Sequence, residues 1–365
     1  MAPVMRNWDI FCRVVDNFGD IGVCWRLARQ LADEHAISVR LWVDDLTPLH
    51  GLCPSIDPGE REQVVGGVVV RPWLDAPTLF WPGEVVIEAF ACELPDACIA
   101  AMANTRHKPV WINLEYLSAE RWIDDCHGLA SPHPTLPLRK HFFFPGFSSA
   151  CGGLLREYGL FAARDLFVAT LPARDELQVS LFCYDSAPVP LLIDILAASS
   201  QAVRLWVADG APSAAVRRVF GSEGPWQRGA LVAEPLRFLA QGDYDRLLWA
   251  CDVNFVRGED SFVRAQWAAR PFVWQAYRQP GDAHVGKVDA FLERYCRDMD
   301  ATNATATVDL FQAWNSGVGT GLASAWTGFL QQRAEIAAHA RRWADQLACI
   351  PDLAGSLVSF CRERV

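Results

Sequence analysis

The chain has 365 residues, more than one ordinary core holds, so two domains are expected. Hydrophobic residues make up 51% and charged ones 21%, a globular composition that excludes a disordered chain. The 33 basic and 43 acidic residues leave a formal charge of −10, which argues against direct nucleic-acid binding and suits a basic partner.

From the amino end, Met1–Val15 carries Arg6, Asp9 and Arg13 and so lacks the apolar centre of a signal peptide. No uninterrupted apolar run approaches the ~20 residues that span a bilayer, so a cytoplasmic protein without membrane contact is expected. Short apolar runs then alternate with helix-period stretches, the pattern of βα units around parallel sheets. Strands are predicted at Asp9–Val15, Val39–Val43, Val68–Val70, Val85–Ala89, Val110–Asn113 and His141–Phe144. Gly22–His35 is the clearest helix between them, with Pro95–Asn104 and Gly153–Tyr158 as further helices.

After the turn-rich Phe144-Pro-Gly-Phe147 the pattern breaks near Gly159–Asp165 and restarts. Strands are predicted at Val179–Tyr184, Val203–Val207, Leu231–Ala233, Val253–Val256 and Phe272–Gln275. Helices at Val189–Ala198, Ser213–Phe220, Tyr244–Ala250 and Ser261–Ala269 separate them, and from Val285 on the chain reads as helix, ending in Ala325–Ala348 and Leu353–Arg362. The expected class is α/β, with two Rossmann-like lobes facing across a cleft. One lobe is residues 1–160, joined by the helix at 347–365, and the other is 161–346. In such sheets ligands bind beyond the carboxyl ends of the strands, so the loops after each strand carry the candidate sites.

The first such loop is Asp16-Asn17-Phe18-Gly19-Asp20-Ile21-Gly22, between strand one and the first helix. Its glycines permit a tight turn, but its aspartates stand where a dinucleotide fingerprint would need room for a pyrophosphate. The pair fits a helix cap with an Asx turn. It fits equally a receptor for a cation, whether guanidinium or metal, or a general base. The second loop is Arg257-Gly258-Glu259-Asp260-Ser261, where Ser261 reads as the helix N-cap and the helix end attracts a phosphate. There Gly258 allows close approach of a ligand. Glu259 and Asp260 either bond sugar hydroxyls or complement the helix dipole.

Phe238 and Gln241 could offer an aromatic face and an amide to a base, although an aromatic in that position is more often core, and Tyr184 stands at the same rim of the second lobe. The D-x-D pairs Asp243/Asp245 and Asp298/Asp300 read as helix-flanking and not as metal ligands. His127, His133 and His141 lie near the lobe junction, with a core or surface role as the default and cleft lining as the alternative. The 12 cysteines include no C-x-x-C and sit singly in apolar surroundings, as buried reduced thiols do. Trp25, Trp206, Trp249 and Trp267 fall in apolar elements and read as packing.

Several long motifs occur in one order. They are Asp16-Asn-Phe-Gly-Asp-Ile-Gly22 with Trp25-Arg-Leu-Ala-Arg29, Trp111-Ile-Asn-Leu-Glu-Tyr116, Phe144-Pro-Gly-Phe147 with Gly152-Gly-Leu-Leu-Arg-Glu157, and Arg257-Gly-Glu-Asp-Ser-Phe-Val-Arg-Ala-Gln-Trp267. Together they resemble the elongation factor P arginine rhamnosyltransferases, over Ile10 to about Leu292. The resemblance implies a GT-B type glycosyltransferase that binds the acceptor in its N-terminal lobe and the nucleotide sugar in its C-terminal lobe. It implies inverting transfer of L-rhamnose from TDP-β-L-rhamnose to an arginine of elongation factor P, which rescues polyproline-stalled ribosomes. No cofactor or metal is implied.

By motif match, Asp20 is the catalytic carboxylate and Asp16 its partner, with Asn17, Phe18 and Gly19 lining the acceptor and sugar pocket. Gly258, Glu259, Asp260 and Ser261 serve the diphosphate and sugar, and Tyr184, Phe238 and Gln241 the thymidine nucleotide. Two rival readings stand beside this one. One is a GT-B enzyme with a lipid, glycan or small-molecule acceptor, though no basic amphipathic stretch favours a lipid. The other is a two-lobed binding protein without catalysis.

Overall fold

A computed structural model describes residues 7–16, 18–278, 281 and 283–364. Asn17, one of the candidate pocket residues, lies outside the described residues. The chain divides into two compact units. One comprises the chain up to Tyr158 together with the segment from Ala348, and the other is Gly159–Leu347.

The first unit contains strands β1 (Asn7–Cys12), β2 (Ser38–Val43), β3 (Gln63–Val65), β4 (Val68–Pro72), β5 (Val85–Ala89), β6 (Val110–Leu114), β7 (Ala130–Pro132) and β8 (Arg139–Phe143). Helices α1 (Gly19–His35), α2 (Leu46–Leu52), α3 (Ala76–Leu79), α4 (Asp96–Asn104) and α5 (Trp122–Cys126) connect them. Its parallel strands lie in the order β4-β2-β1-β5-β6-β8, with β3 and β7 antiparallel at the edges. That is the 3-2-1-4-5-6 succession of a doubly wound sheet, whose ligand crevice opens where β1 and β5 send their chains to opposite sides.

One face is sealed by Phe11, Trp42, Trp73, Phe80 and Trp111, all buried, with Phe11 and Trp42 stacked at 5.7 Å. The wholly buried Asp9 is satisfied by Arg40 at 2.7 Å, the Trp42 indole N–H and the Gly83 amide, so it serves the sheet and not a ligand.

The second unit contains α6 (Leu160–Ala169), β9 (Leu177–Leu181), α7 (Val189–Ala197), β10 (Val203–Val207), α8 (Ala211–Phe220), β11 (Trp226–Arg228), β12 (Leu231–Pro235), α9 (Gln241–Ala250), β13 (Val253–Arg257), α10 (Asp260–Ala268) and β14 (Phe272–Gln275). Four helices follow: α11 (Ala283–Tyr295), α12 (Ala301–Asn315), α13 (Leu322–Gln331) and α14 (Arg333–Ala348). The sheet order β11-β12-β10-β9-β13-β14 puts the crevice between β9 and β13. An aromatic cluster of Phe262, Phe272, Phe291, Tyr295 and Phe311 packs the late helices onto β14. The last helix, α15 (Leu353–Arg362), belongs to the first unit.

Four element predictions are corrected. Gly153–Tyr158 is not a helix, because its backbone bonds go elsewhere. Gly153 has φ +73°, Leu154 accepts from the Leu353 amide, and the Arg156 carbonyl accepts from Gln30. The helix expected at Ala325–Ala348 is two, α13 and α14, broken at Gln332. The first strand stops at Cys12 and the strand after Val179 stops at Leu181, so the loops that follow are longer than predicted.

Candidate active site

In the first unit the loop after β1 opens onto the crevice beside β5. Helix α1 starts at Gly19, three residues earlier than expected, with Phe18 as a cap that makes no side-chain bond. Asp20 is therefore the second helical residue and does not cap α1. Its carboxylate turns back to accept the amides of Val15 and Asp16, both at 2.8 Å, and the Tyr116 hydroxyl at 3.2 Å.

Asp16 is half-buried. The Gly19 amide bonds its carbonyl at 2.6 Å, and a Cβ on Gly19 would stand 2.9 Å from its carboxylate oxygen. Glycine is what lets the Asp16 carboxylate fold over the start of the helix. Asp16, Gly19 and Asp20 are thus brought together, with Phe18 between them in the turn.

Asp20 is only 2% exposed. Burial raises its carboxyl above the ordinary range, the two amides and Tyr116 pull it back, and the like charge of Asp16 adds a smaller upward push. A buried carboxylate held by three donors at a sheet crevice, beside a second carboxylate, is suited to receive a cation and a proton.

Tyr116 was quoted only as the end of a motif; sequence reasoning gave it no role. The signal was its place just beyond β6, the strand next to β5. Its ring is 41% exposed and stacks on Phe90 at 4.4 Å. Phe90, Ala91 and Glu93, directly after β5, all have left-handed φ of 51° to 57°. Such backbone costs on the order of 1–3 kcal/mol per residue and persists only where surroundings enforce it. Here the Ala91 amide bonds Asn113 and the Glu93 amide bonds the buried Glu88, which also accepts from Trp111 and Lys140.

In the second unit the loop after β13 turns at Gly258, φ +63°, whose carbonyl accepts the Trp274 indole at 2.8 Å. Helix α10 begins at Asp260 with Glu259 at the cap position, so Ser261 is not the N-cap. Its hydroxyl instead accepts the Arg257 amide and donates to the Arg257 carbonyl, closing the turn. The amides of a helix's first turn have no acceptor within the helix, and the dipole there favours an anion.

Gln241, the first residue of α9, reaches Asp260 at 3.4 Å. Tyr184 lies beyond the end of β9, its amide on Gln275 at 2.8 Å and its ring 4.3 Å below the Arg257 guanidinium. Arg257 also covers Phe182. The sequence names Arg257 as the start of this loop without a role; in the structure it is the last residue of β13. Phe238, on the loop leading into α9, is 40% exposed and so is not a core residue. The structure thus brings Gly258, Glu259, Asp260, Ser261, Gln241 and Tyr184 to one end of the second sheet.

The remaining candidates are structural. Asp245 is buried and pairs bidentately with Arg264 at 2.9 and 2.7 Å, while Asp243 pairs with Arg246. Asp300 caps α12 through the amides of Thr302 and Asn303. His127 accepts the Phe144 amide and packs on Phe143, His141 packs on Phe360, and His133 accepts the amides of Thr135 and Leu136. The cysteines are all free thiols. Among the described residues no group of three or more His, Cys, Asp or Glu could hold a metal, and no described helix is long and apolar enough to cross a membrane.

Comparison with known proteins places the chain in a family. Residues 8–362 match the family model described as Elongation-Factor P (EF-P) rhamnosyltransferase EarP. The protein-arginine rhamnosyltransferase of Pseudomonas aeruginosa is 46% identical, over 98% of this chain and 99% of that one. Its counterpart in Shewanella oneidensis is 38% identical over 98% of each. A solved structure concerned with EarP-mediated arginine glycosylation of translation elongation factor EF-P superposes with a TM-score of 0.67 at 35% identity, covering 98% of this chain and 99% of that one. MurG of Acinetobacter baumannii, at 10% identity and a TM-score of 0.52 over 99% of each chain, shares the fold alone. The chain therefore belongs to the elongation factor P rhamnosyltransferase family, protein-arginine glycosyltransferases of the GT-B type.

Proposed function

We propose that this enzyme transfers L-rhamnose, with inversion, from TDP-β-L-rhamnose to an arginine side chain of elongation factor P, in the cytoplasm, to activate it for rescue of polyproline-stalled ribosomes. The observation that carries the reading is the Asp20 carboxylate, 2% exposed at the crevice of a doubly wound sheet, with Asp16 beside it. Family membership and a related structure concerned with EF-P supply the acceptor.

The chemistry follows from the acceptor. A guanidinium has a pKa above ~12, and its nitrogen lone pairs are delocalised, so it attacks poorly unless held and relieved of a proton. In this reading Asp16 and Asp20 grip the planar cation and aim one nitrogen at the anomeric carbon. The N–C bond forms as the bond from that carbon to the phosphate oxygen breaks. The proton lost by the nitrogen passes to Asp20, and TDP leaves with the bonding pair. Burial, by raising the Asp20 carboxyl, makes it a better proton acceptor than an exposed aspartate.

The second unit takes the donor. First-turn amides of α10 meet the diphosphate, where Ser261 acts by holding the turn and not through a free hydroxyl. Asp260 and Glu259 face the sugar, while Tyr184, Phe238 and Gln241 hold the nucleoside. No metal is required in this scheme, so transfer is expected to persist undiminished in excess chelator.

The direct test is to incubate the enzyme with TDP-β-L-rhamnose and elongation factor P and to weigh the acceptor. A gain of one deoxyhexose, lost when the acceptor arginine is replaced by lysine, is the expected result. Release of TDP with no gain on the acceptor would assign the enzyme another acceptor.

A further inference from the structure

The loop after β5 is built in a way the transfer scheme does not use. Phe90, Ala91 and Glu93 hold left-handed backbone within four residues, and none is glycine. Four bonds pin them, three to neighbouring strands and one back to β5: the Phe90 amide to the Leu114 carbonyl, the Ala91 amide to Asn113, the Cys92 thiol to the Phe11 carbonyl, and the Glu93 amide to Glu88. Glu88 is 1% exposed and Asn113 2%, so the anchors are fixed within the sheet. The loop thereby presents the Phe90 ring, at 4.4 Å and 17° from parallel, to the face of Tyr116. Tyr116 donates to the Asp20 carboxylate at 3.2 Å.

The transfer scheme assigns Phe90 no contact with a substrate. A stacked ring does restrict how its partner turns, and Tyr116 is a part-exposed side chain on a loop beyond a strand. We propose that Phe90, held by the strained loop at 90–93, is a positioning residue that fixes the Tyr116 hydroxyl on Asp20 and so sets when the proton-accepting carboxylate is ionised. The proposal rests on the reading that Asp20 takes the acceptor's proton. The groups that face Asp20 are Asp16 on its own loop, Cys12 at the end of β1 and Tyr116. Of these, Tyr116 is the one that donates a hydrogen bond through its side chain, and loss of that donor disfavours the ionised form.

The sign follows. Without the Tyr116 bond the Asp20 carboxyl moves further up, so the acid limb of kcat/KM moves to higher pH. The test compares full-length Phe90→Leu, Phe90→Tyr, Tyr116→Phe, the double variant Phe90→Leu/Tyr116→Phe, and Asp20→Asn, with thermal melting as a check on folding. Phe90→Leu is expected to lower kcat about ten- to a hundred-fold, the scale of a small misplacement of a reacting group, and to shift the acid limb upward. Phe90→Tyr restores the stack and is expected to restore both. The double variant should be no worse than Tyr116→Phe alone, because both substitutions remove one bond.

If Phe90→Leu folds and loses rate with an unmoved acid limb, or if its effect adds fully to that of Tyr116→Phe, the positioning role is overturned while an inactive Asp20→Asn leaves the transfer scheme standing. Near-normal turnover by Asp20→Asn overturns both. Should Phe90→Leu not fold, the Tyr116→Phe profile decides: an unshifted acid limb removes the bond that Phe90 is said to hold.

Discussion

Asp20 is placed at some cost to the fold. Its carboxyl is raised chiefly by burial, so the stability it contributes is complete below the ordinary carboxylate pKa and is lost as pH rises through the raised value. Asp20→Asn keeps an oxygen for the Val15 and Asp16 amides and removes the charge. The variant is therefore expected to melt above the wild type at pH 8, with the gap closing as pH falls through the Asp20 titration. Equal melting temperatures at pH 8 would mean that the buried charge is fully compensated. In turnover the same substitution is expected to cost about 10²–10⁴-fold, the usual contribution of a positioned base.

The pair Asp16 and Asp20 was legible in the sequence because two carboxylates with a glycine between them followed a clear strand. Their contacts were not. The helix starts without a side-chain cap, so the capping rule that reads Asp20 as an N-cap misassigned the partner of its carboxylate. Tyr116 was illegible for a different reason. It reaches Asp20 from 96 residues away, and only the sheet order β1-β5-β6 brings it there.

Among elements, α9 and α10 carry the proposed donor side, and one buried pair joins them. Arg264 is 2% exposed and Asp245 5%, and the two are bonded twice. Removing one partner strands a buried charge, so Asp245→Ala is expected to cost about 3–5 kcal/mol of unfolding free energy. Because Gln241 opens α9 and Asp260 opens α10, the same variant should bind TDP more weakly by calorimetry. Unchanged TDP affinity in a destabilised Asp245→Ala would mean that the helix ends are held independently of the pair.

Sequence periodicity found these helices because each has a buried face, but it set the start of α10 one residue late. Ser261 has a capping residue's chemistry and uses its hydroxyl on Arg257 instead. The missed edge strands β3, β7 and β11 are three residues each, too short for an alternating pattern to register.

At the scale of the molecule, the chain leaves the first unit near Tyr158 and returns to it at Ala348. The return is fixed by α15, whose Phe360 packs between His127, His141 and Phe143 and whose cap, Asp352, meets Gln30 of α1. Gly153 makes that seat possible: its φ is +73°, and a Cβ there would stand 2.1 Å from the Pro351 carbonyl oxygen. Gly153→Ala is expected to lose about 1–2 kcal/mol from the backbone alone and more from the clash, read as earlier melting. Melting unchanged from wild type would show that α15 contributes little to the first unit.

The two-lobed αβ class was legible because the βα pattern breaks near Gly159 and restarts. The irregular run at Gly153–Tyr158 was not, since its bonding partners are as remote in the chain as Gln30 and Leu353.

The central claim is that carboxylates of the first unit, Asp20 foremost, receive the acceptor arginine and its proton while the second unit holds the nucleotide sugar. The most direct measurement loads Asp20→Asn with TDP-β-L-rhamnose, confirms donor binding by calorimetry, adds elongation factor P, and follows the acceptor mass with time. Donor affinity near that of the wild type with the deoxyhexosyl acceptor forming about 10²–10⁴-fold more slowly is predicted. Product forming at close to the wild-type rate would contradict it.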